Sequence, residues 1–158
     1  MNAFDFTLTS LSGQPLPLAP YRGKALLIAN TASRCGFTPQ YKGLQQLADT
    51  YQARGLIVIG IPSGDFANQE LNSNSDIGAF CERNYGVRFP LATKTVVKGK
   101  AAHPLFQWVR QELGPAAGPW WNFYKYLVAP DGRVVDWFSP ITTPQSHRLT
   151  TALERILP

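Results

Sequence analysis

Two cysteines are the residues of this chain best suited to covalent chemistry. Cys35 follows a short apolar run, Ala25–Ala29, that predicts a strand buried on both faces. It precedes a helix start in which Thr38 is the expected N-cap and Pro39 the first helical residue. Because a helix N-terminus carries unpaired N–H groups and partial positive charge, it favours the thiolate form of a nearby cysteine. The pattern therefore predicts a nucleophilic thiolate at Cys35.

The second cysteine, Cys81, has two possible roles. It lies on a predicted helix from Ser75 to Asn84 and shares a face with Ile77 and Phe80, so it is either a small core residue or a second redox thiol. Position 38 is threonine, so Cys35 has no partner at Cys-x-x-Cys spacing. This argues against a disulfide oxidoreductase of the thioredoxin type and favours attack by a single cysteine.

Composition excludes several other classes of protein. The chain has 158 residues, 44% of them hydrophobic, which suits a single domain spanning residues 1–158. Its 15 basic residues are scattered singly despite a formal charge of +5, which indicates a solvated basic surface rather than a nucleic-acid site. No apolar run approaches the ~20 residues of a membrane span and no leader is visible, so we expect a cytoplasmic protein without stable membrane association.

The elements that must position the cysteines follow from hydrophobic periodicity. Two apolar strands joined by a helix form a parallel crossover unit, and a turn at Pro130-Asp131-Gly132-Arg133 joins an antiparallel hairpin. This order predicts a thioredoxin-like α/β fold, with a mixed central sheet flanked by helices and an N-terminal β-hairpin extension. The predicted elements are the hairpin at Phe4–Leu8 and Leu16–Leu18, strands Ala25–Ala29, Leu56–Ile61, Tyr124–Val128 and Val134–Phe138, and helices Pro39–Ala53, Ser75–Asn84, His103–Leu113 and Pro144–Leu157.

Three separated segments carry a family resemblance. They are Asn30–Tyr41 around the cysteine, Asn68-Gln69-Glu70, and Trp121-Asn122-Phe123. With these segments in this order, the chain resembles the cysteine-containing, monomeric glutathione peroxidases over nearly its whole length. The resemblance implies that Cys35 is the peroxidatic nucleophile and that Gln69, Trp121 and Asn122 complete a catalytic tetrad. The implied reaction is attack of the thiolate on a hydroperoxide, which leaves a sulfenic acid on the enzyme.

The same resemblance implies how the enzyme is recycled. Cys81 stands where thioredoxin-dependent members of the family carry their resolving cysteine, so it is expected to form a disulfide with Cys35 that thioredoxin reduces. No bound cofactor is expected, since the electrons come from thioredoxin or glutathione. Recycling by glutathione, or a redox sensor that passes its oxidation to a partner protein, are the alternatives.

Two stretches depart from the family pattern. Ser63-Gly64-Asp65 stands where relatives commonly have Cys-Asn-Gln, and Leu71-Asn72 replaces the usual Pro-Gly. Asp65 is expected to bring a negative charge towards the thiolate, and the Leu71-Asn72 change bears on the loop that carries Gln69. The chain also lacks the long insertion before Trp121 that builds tetramer contacts in some relatives, which favours a monomer.

Overall fold

A computed structural model describes all residues from 1 to 158. Short 3-10 turns interrupt the connections at Ala3–Asp5, Ala19–Tyr21, Gln52–Arg54 and Pro115–Ala117. The strands are β1 (Thr7–Thr9), β2 (Pro15–Pro17), β3 (Ala25–Thr31), β4 (Leu56–Pro62), β5 (Lys125–Val128) and β6 (Val134–Phe138), and the helices are α1 (Gln40–Tyr51), α2 (Asn74–Tyr85), α3 (Pro104–Leu113) and α4 (His147–Ile156). None of these helices has the length and apolar character that a membrane crossing requires.

The central sheet confirms the predicted thioredoxin-like architecture. Its strand order is β4-β3-β5-β6, in which β3 pairs parallel with β4 and antiparallel with β5, and β5 pairs antiparallel with β6. Every residue of β3 is buried, because helices cover both faces of the sheet. Leu26 and Ile28 point to the face covered by α3, whereas Leu27 and Ala29 point to the face covered by α1, α2 and α4.

Strand direction brings four connecting segments to one edge of the sheet. The chain leaves β3, β4 and β6 at this edge and enters β5 there, because β5 runs opposite to β3. The segments that meet are residues 32–39, 63–73, 119–124 and 139–146. Ligand sites in open α/β sheets gather at the carboxyl ends of the strands, so this edge is where a site is expected.

The N-terminal hairpin exists, but the prediction placed its first strand too early. Phe4 and Asp5 lie in a 3-10 turn because the Asn2 side chain accepts a hydrogen bond from the Phe4 N–H (2.8 Å) and the Asp5 carboxylate accepts one from the Asn2 N–H (2.8 Å). These local bonds compete with strand pairing. Antiparallel pairing of β1 with β2 begins only at Thr7.

Two helices begin at other residues than predicted, because different side chains cap them. Ser73, not Ser75, caps α2, since its hydroxyl accepts a hydrogen bond from the Asp76 N–H (3.1 Å). Ser146 caps α4 in the same way, so the helix begins three residues later than the predicted start at Pro144. His103 caps α3, its Nδ1 accepting from the Leu105 N–H (3.1 Å).

Candidate active site

The loop after β3 holds Cys35 by a hydrogen-bond pair through Thr38. The Thr38 hydroxyl accepts from the Cys35 backbone N–H (2.9 Å) and donates to the Ala32 carbonyl (2.8 Å). The prediction that Thr38 caps the helix is therefore wrong, and α1 begins only at Gln40. The buried Thr38 hydroxyl bridges the Ala32 carbonyl and the Cys35 N–H, and so closes the loop. These bonds fix the position of the Cys35 backbone.

The Cys35 thiol lies in a nearly closed position with one backbone donor. The residue is 8% exposed, so the sulfur can meet a small reactant without being immersed in water. Its Sγ accepts a hydrogen bond from the Phe37 N–H (3.4 Å). An N–H donor aimed at sulfur stabilises negative charge on that atom. A loop N–H thus provides the contact that the sequence pattern assigned to a helix end.

Gln69 reaches the cysteine loop from a strained connection after β4. Ala67 and Asn68 have φ angles of 56° and 52°, a left-handed conformation that non-glycine residues adopt at a cost of about 1–2 kcal/mol each. This pair of residues turns the chain so that the Gln69 carbonyl accepts a hydrogen bond from the Arg34 N–H (2.9 Å). The backbone of Gln69 is therefore bonded directly to the residue that precedes Cys35.

Asn122 joins Gln69 from the segment before β5. Its Nδ2 donates to Gln69 Oε1 (3.0 Å), although the two residues are 53 positions apart in sequence. Asn30, at the end of β3, holds this segment on both sides of Asn122: its side chain donates to the Trp121 carbonyl (2.8 Å) and its own carbonyl accepts from the Phe123 N–H (2.6 Å). Gln69 and Asn122 thus meet in direct contact despite the Leu71-Asn72 departure.

Two donors at this edge are not used by the protein itself. Gln69 Nε2 and the indole N–H of Trp121 have no acceptor in the structure, and both side chains are only half-buried. The Trp121 ring is held against Phe66, with ring centroids 6.0 Å apart. Neutral amide and indole N–H groups donate at any physiological pH. The edge therefore offers two free N–H donors of the kind that bind an oxygen atom carrying negative charge. It holds no cluster of acidic, histidine and cysteine side chains that could hold a metal ion.

The Asp65 carboxylate is hydrogen-bonded to a neighbouring loop. Its carboxylate accepts hydrogen bonds from the N–H groups of Val97 (2.6 Å) and Lys98 (3.2 Å), so it is satisfied by the loop that follows. That loop places the Lys98 ammonium 5.0 Å from the centroid of the Phe66 ring, which in turn contacts Trp121. The departure from the family pattern ties a neighbouring loop to the wall of the site.

Cys81 lies in the core rather than at the sheet edge. Its side chain is fully buried between α2 and the sheet, in the same apolar cluster as Tyr41 and Ile77. Burial raises the pKa of the Cys81 thiol to about 11, against a partial lowering by the Tyr41 hydroxyl. Both cysteines are free thiols in this structure. The chain's two thiols therefore occupy different environments, one at the edge of the sheet and one inside.

The buried Cys81 thiol makes a pH-dependent contribution to stability. The native state holds this proton up to about pH 11, whereas an unfolded cysteine loses it near 8.5. The contribution is therefore complete below about pH 8.5 and is lost as pH rises to about 11. We expect the difference in free energy of unfolding between the native chain and Cys81→Ala to shrink by about 2–3 kcal/mol over this range. Urea unfolding at both pH values measures it, and an unchanged difference would contradict it.

A model of the glutathione peroxidase family matches residues 3–110, more than half of the chain. The chain belongs to the glutathione peroxidase family. A glutathione peroxidase-like peroxiredoxin of Chlamydomonas reinhardtii is 44% identical over 156 residues, with 98% of this chain and 95% of the relative covered. A hydroperoxy fatty acid reductase of Synechocystis is 41% identical over 162 residues, covering 98% of this chain and 95% of that protein.

The structural comparison gives the same family. The crystal structure of Trgpx in its apo form superimposes with a TM-score of 0.77 at 30% identity, covering 100% of this chain and 99% of that one. As a member of the glutathione peroxidase family, the chain is a thiol peroxidase that reduces hydroperoxides. The predicted family and reaction class are thereby confirmed.

Some residues that organise this glutathione peroxidase site were not found by sequence reasoning. Asn30 holds the segment around Asn122, yet in the sequence it only begins the family segment around Cys35, with no role assigned. Thr38 was predicted to cap the helix, not to close the loop around Cys35. Lys125 begins an otherwise apolar strand and is fully buried, and that contrast was a signal that could have marked it.

Proposed function

We propose that Cys35 is the nucleophile of this thiol peroxidase, that Gln69 and Trp121 donate hydrogen bonds to the reacting oxygens, and that Asn122 completes the tetrad by holding the Gln69 side chain. The observation that carries the proposal is the chain of contacts from the cysteine loop to Gln69 and from Gln69 to Asn122. Three segments that are distant in sequence are joined at one edge of the sheet, next to a thiol that accepts an N–H donor.

The proposed first step is a displacement at peroxide oxygen. The Cys35 thiolate attacks the terminal oxygen of the hydroperoxide, an S–O bond forms and the O–O bond breaks. The leaving oxygen takes up a proton and departs as water or an alcohol, and Cys35 remains as a sulfenic acid. Negative charge moves to the leaving oxygen during this step. Hydrogen bonds from the Gln69 amide and the Trp121 indole would stabilise it there.

Magnitudes indicate that these donors matter more than thiol ionisation. A thiol whose pKa falls from about 8.5 to about 6 gains roughly thirtyfold in thiolate at neutral pH. Enzymes accelerate their reactions by about 10⁶-fold or more. A well-placed donor of the oxyanion-hole kind contributes roughly 10²–10³-fold. Two such donors at the leaving oxygen account for the difference, so loss of either one, or of the Asn122 contact that holds Gln69, is expected to be severe.

The proposed second step uses Cys81. Its thiol attacks the Cys35 sulfenic acid, so a disulfide forms and water leaves, and thioredoxin then reduces the disulfide. No bound cofactor takes part in this scheme. Because Cys81 is fully buried, α2 must open before its sulfur can reach Cys35. Cys81 lies four residues from the end of α2, which stops at Gly86 in a left-handed conformation, so unwinding of the last turn would release it.

The surface around the site suits organic hydroperoxides. Trp120, beside Trp121, is 56% exposed, and Ile141, in the segment after β6 at the same sheet edge, is 83% exposed. Exposed apolar side chains on the segments that form a site favour substrates that carry a hydrocarbon part. The Synechocystis relative, which is named a hydroperoxy fatty acid reductase, supports the same substrate class.

Coupled turnover assays test the choice of reductant. Peroxide-dependent NADPH consumption is measured with thioredoxin and thioredoxin reductase and, in parallel, with glutathione and glutathione reductase. We expect turnover with the thioredoxin system at micromolar thioredoxin and little with millimolar glutathione, because a protein-held disulfide is reduced best by a dithiol protein. Equal or faster turnover with glutathione would reject thioredoxin as the recycling partner.

A further inference from the structure

Lys125 is an unusual residue to find in the interior of this protein. It is the first residue of β5, paired with Ala29 of β3 and Phe138 of β6, and its side chain is fully buried. No carboxylate lies within ion-pair distance of its ammonium group. An ammonium buried without an opposite charge is unfavourable, and burial lowers the pKa of Lys125 to about 7. An apolar side chain would continue the strand without this penalty.

The contacts of the Lys125 ammonium are two backbone carbonyls. Its Nζ donates to the Phe123 carbonyl (2.8 Å) and, at longer range, to the Ser139 carbonyl (3.4 Å). Phe123 adopts a φ of 65°, a left-handed conformation that is unfavourable for a bulky side chain. Its N–H is bonded on the other side to the Asn30 carbonyl (2.6 Å). The strained residue is thus fixed at both its N–H and its carbonyl group.

The position of Phe123 decides where Asn122 points. Asn122 is the preceding residue, so a change in the backbone angles of Phe123, whose carbonyl Lys125 holds, would shift the Asn122 backbone and move its Nδ2 away from Gln69 Oε1, 3.0 Å away at present. The Ser139 contact links the same ammonium to the segment after β6, whose Pro140 carbonyl accepts from the Gln40 side chain at the start of α1 (2.6 Å). Lys125 therefore joins two of the segments that meet at the sheet edge.

We propose that Lys125 is a positioning residue for the peroxidase reaction, whose ammonium holds Phe123 in its left-handed conformation and so keeps Asn122 in contact with Gln69. Lys125 does not touch the reacting atoms and acts through Asn122. The inference rests on the proposed function, because it assigns Asn122 a part in peroxide reduction. Its measurable consequence is energetic coupling between positions 125 and 122.

A double-mutant cycle tests this coupling. The rate constant of Cys35 oxidation by hydrogen peroxide is measured in single turnover, with thiol trapping and mass spectrometry, for Lys125→Met, Asn122→Ala and the double variant. We expect Asn122→Ala to lower the rate constant about 10²-fold and Lys125→Met about tenfold. In the double variant, Lys125→Met adds less than twofold to the loss from Asn122→Ala, because its effect passes through the absent side chain. Lys24→Met, an exposed lysine at the far end of β3, is the matched control.

The outcomes separate this inference from the proposed function. A folded Lys125→Met variant within twofold of the native rate constant, or one whose loss multiplies unchanged with that of Asn122→Ala, would overturn the positioning role. If Asn122→Ala itself keeps the native rate constant, the proposed tetrad is wrong. The free energy of unfolding of each variant is measured in urea, so that a lower rate constant can be separated from a loss of folded protein.

A measurement on the native fold keeps the proposal testable if Lys125→Met does not fold. In the Cys35→Ser chain, which lacks the site thiol, the Lys125 ammonium and the Asn122 side-chain amide are followed by NMR from pH 5 to 9. We expect the Asn122 amide signals to shift with the same midpoint as Lys125, near 7, because the loss of the ammonium charge weakens the bond to Phe123. Asn122 signals that stay constant through the Lys125 titration would overturn the inference.

Discussion

The Cys35→Ser chain is expected to lose peroxide reduction by on the order of 10⁴-fold or more while remaining folded. A serine hydroxyl is not ionised near neutral pH, so the atom that should attack the peroxide is no longer a nucleophile. The replacement keeps the loop intact, because the bonds that position residue 35 come from its backbone N–H and from Thr38. Consumption of hydrogen peroxide and of an alkyl hydroperoxide, each with the thioredoxin system, measures the loss.

Two controls sharpen the Cys35 prediction. Urea unfolding of Cys35→Ser shows whether the fold is retained, and a small change is expected because the thiol makes one weak hydrogen bond (3.4 Å). Cys81→Ser removes the other thiol and is expected to keep the native rate of the first oxidation. A Cys35→Ser chain that still reduces peroxide at more than a few per cent of the native rate would refute the assignment of the nucleophile.

The Cys81→Ser chain is expected to lose about 10³-fold in steady-state turnover with about 1 µM thioredoxin, because an internal thiol acts at an effective concentration in the millimolar range. The first oxidation of Cys35 proceeds as before, so a single equivalent of peroxide is still consumed. Single-turnover oxidation and steady-state NADPH consumption, measured on the same sample, separate the two steps.

The disulfide itself provides the decisive observation for Cys81. After one equivalent of peroxide, the native chain is expected to yield a peptide pair joined through Cys35 and Cys81, whereas Cys81→Ser yields a trapped sulfenic acid at Cys35. Protection of the backbone amides of α2 should fall in the disulfide form, because the fully buried Cys81 must leave its place in the core. Full steady-state turnover of Cys81→Ser would show that Cys81 is a core residue and not the resolving cysteine.

The sequence was sufficient for the framework because its signals are local. The apolar runs at Ala25–Ala29 and Leu56–Ile61 predicted the paired central strands, since a sheet covered on both faces needs continuous apolar residues. Cys35 follows the end of a strand, as predicted. The Thr38 prediction was wrong because a threonine beside a proline is an equally good loop partner, and only the fold decides between the two.

The parts of the site that local patterns missed depend on distant residues. Asn30 is hydrogen-bonded to Trp121 across 91 positions and Gln69 to Asn122 across 53. Hydrophobic periodicity does not predict such pairs. The family resemblance gave roles to Gln69 and Asn122, included Asn30 in the segment around Cys35 without a role, and did not include Lys125. Their contacts with backbone groups of the 121–123 segment exist only once β5 has paired with β3.

Asn30 also ties the assembly of the candidate site to the completion of folding. A chain that has been synthesised only through β4 already contains Cys35, but the 121–123 segment that Asn30 holds has not yet been made. Contacts between residues so far apart in sequence form late, because closing the long loop must precede them. Gln69 and Asn122 therefore come into contact only when the C-terminal half of the sheet is in place. If Gln69, Trp121 and Asn122 act as proposed, a chain that lacks this contact carries Cys35 without its partners and reacts more slowly with peroxide than the completed fold.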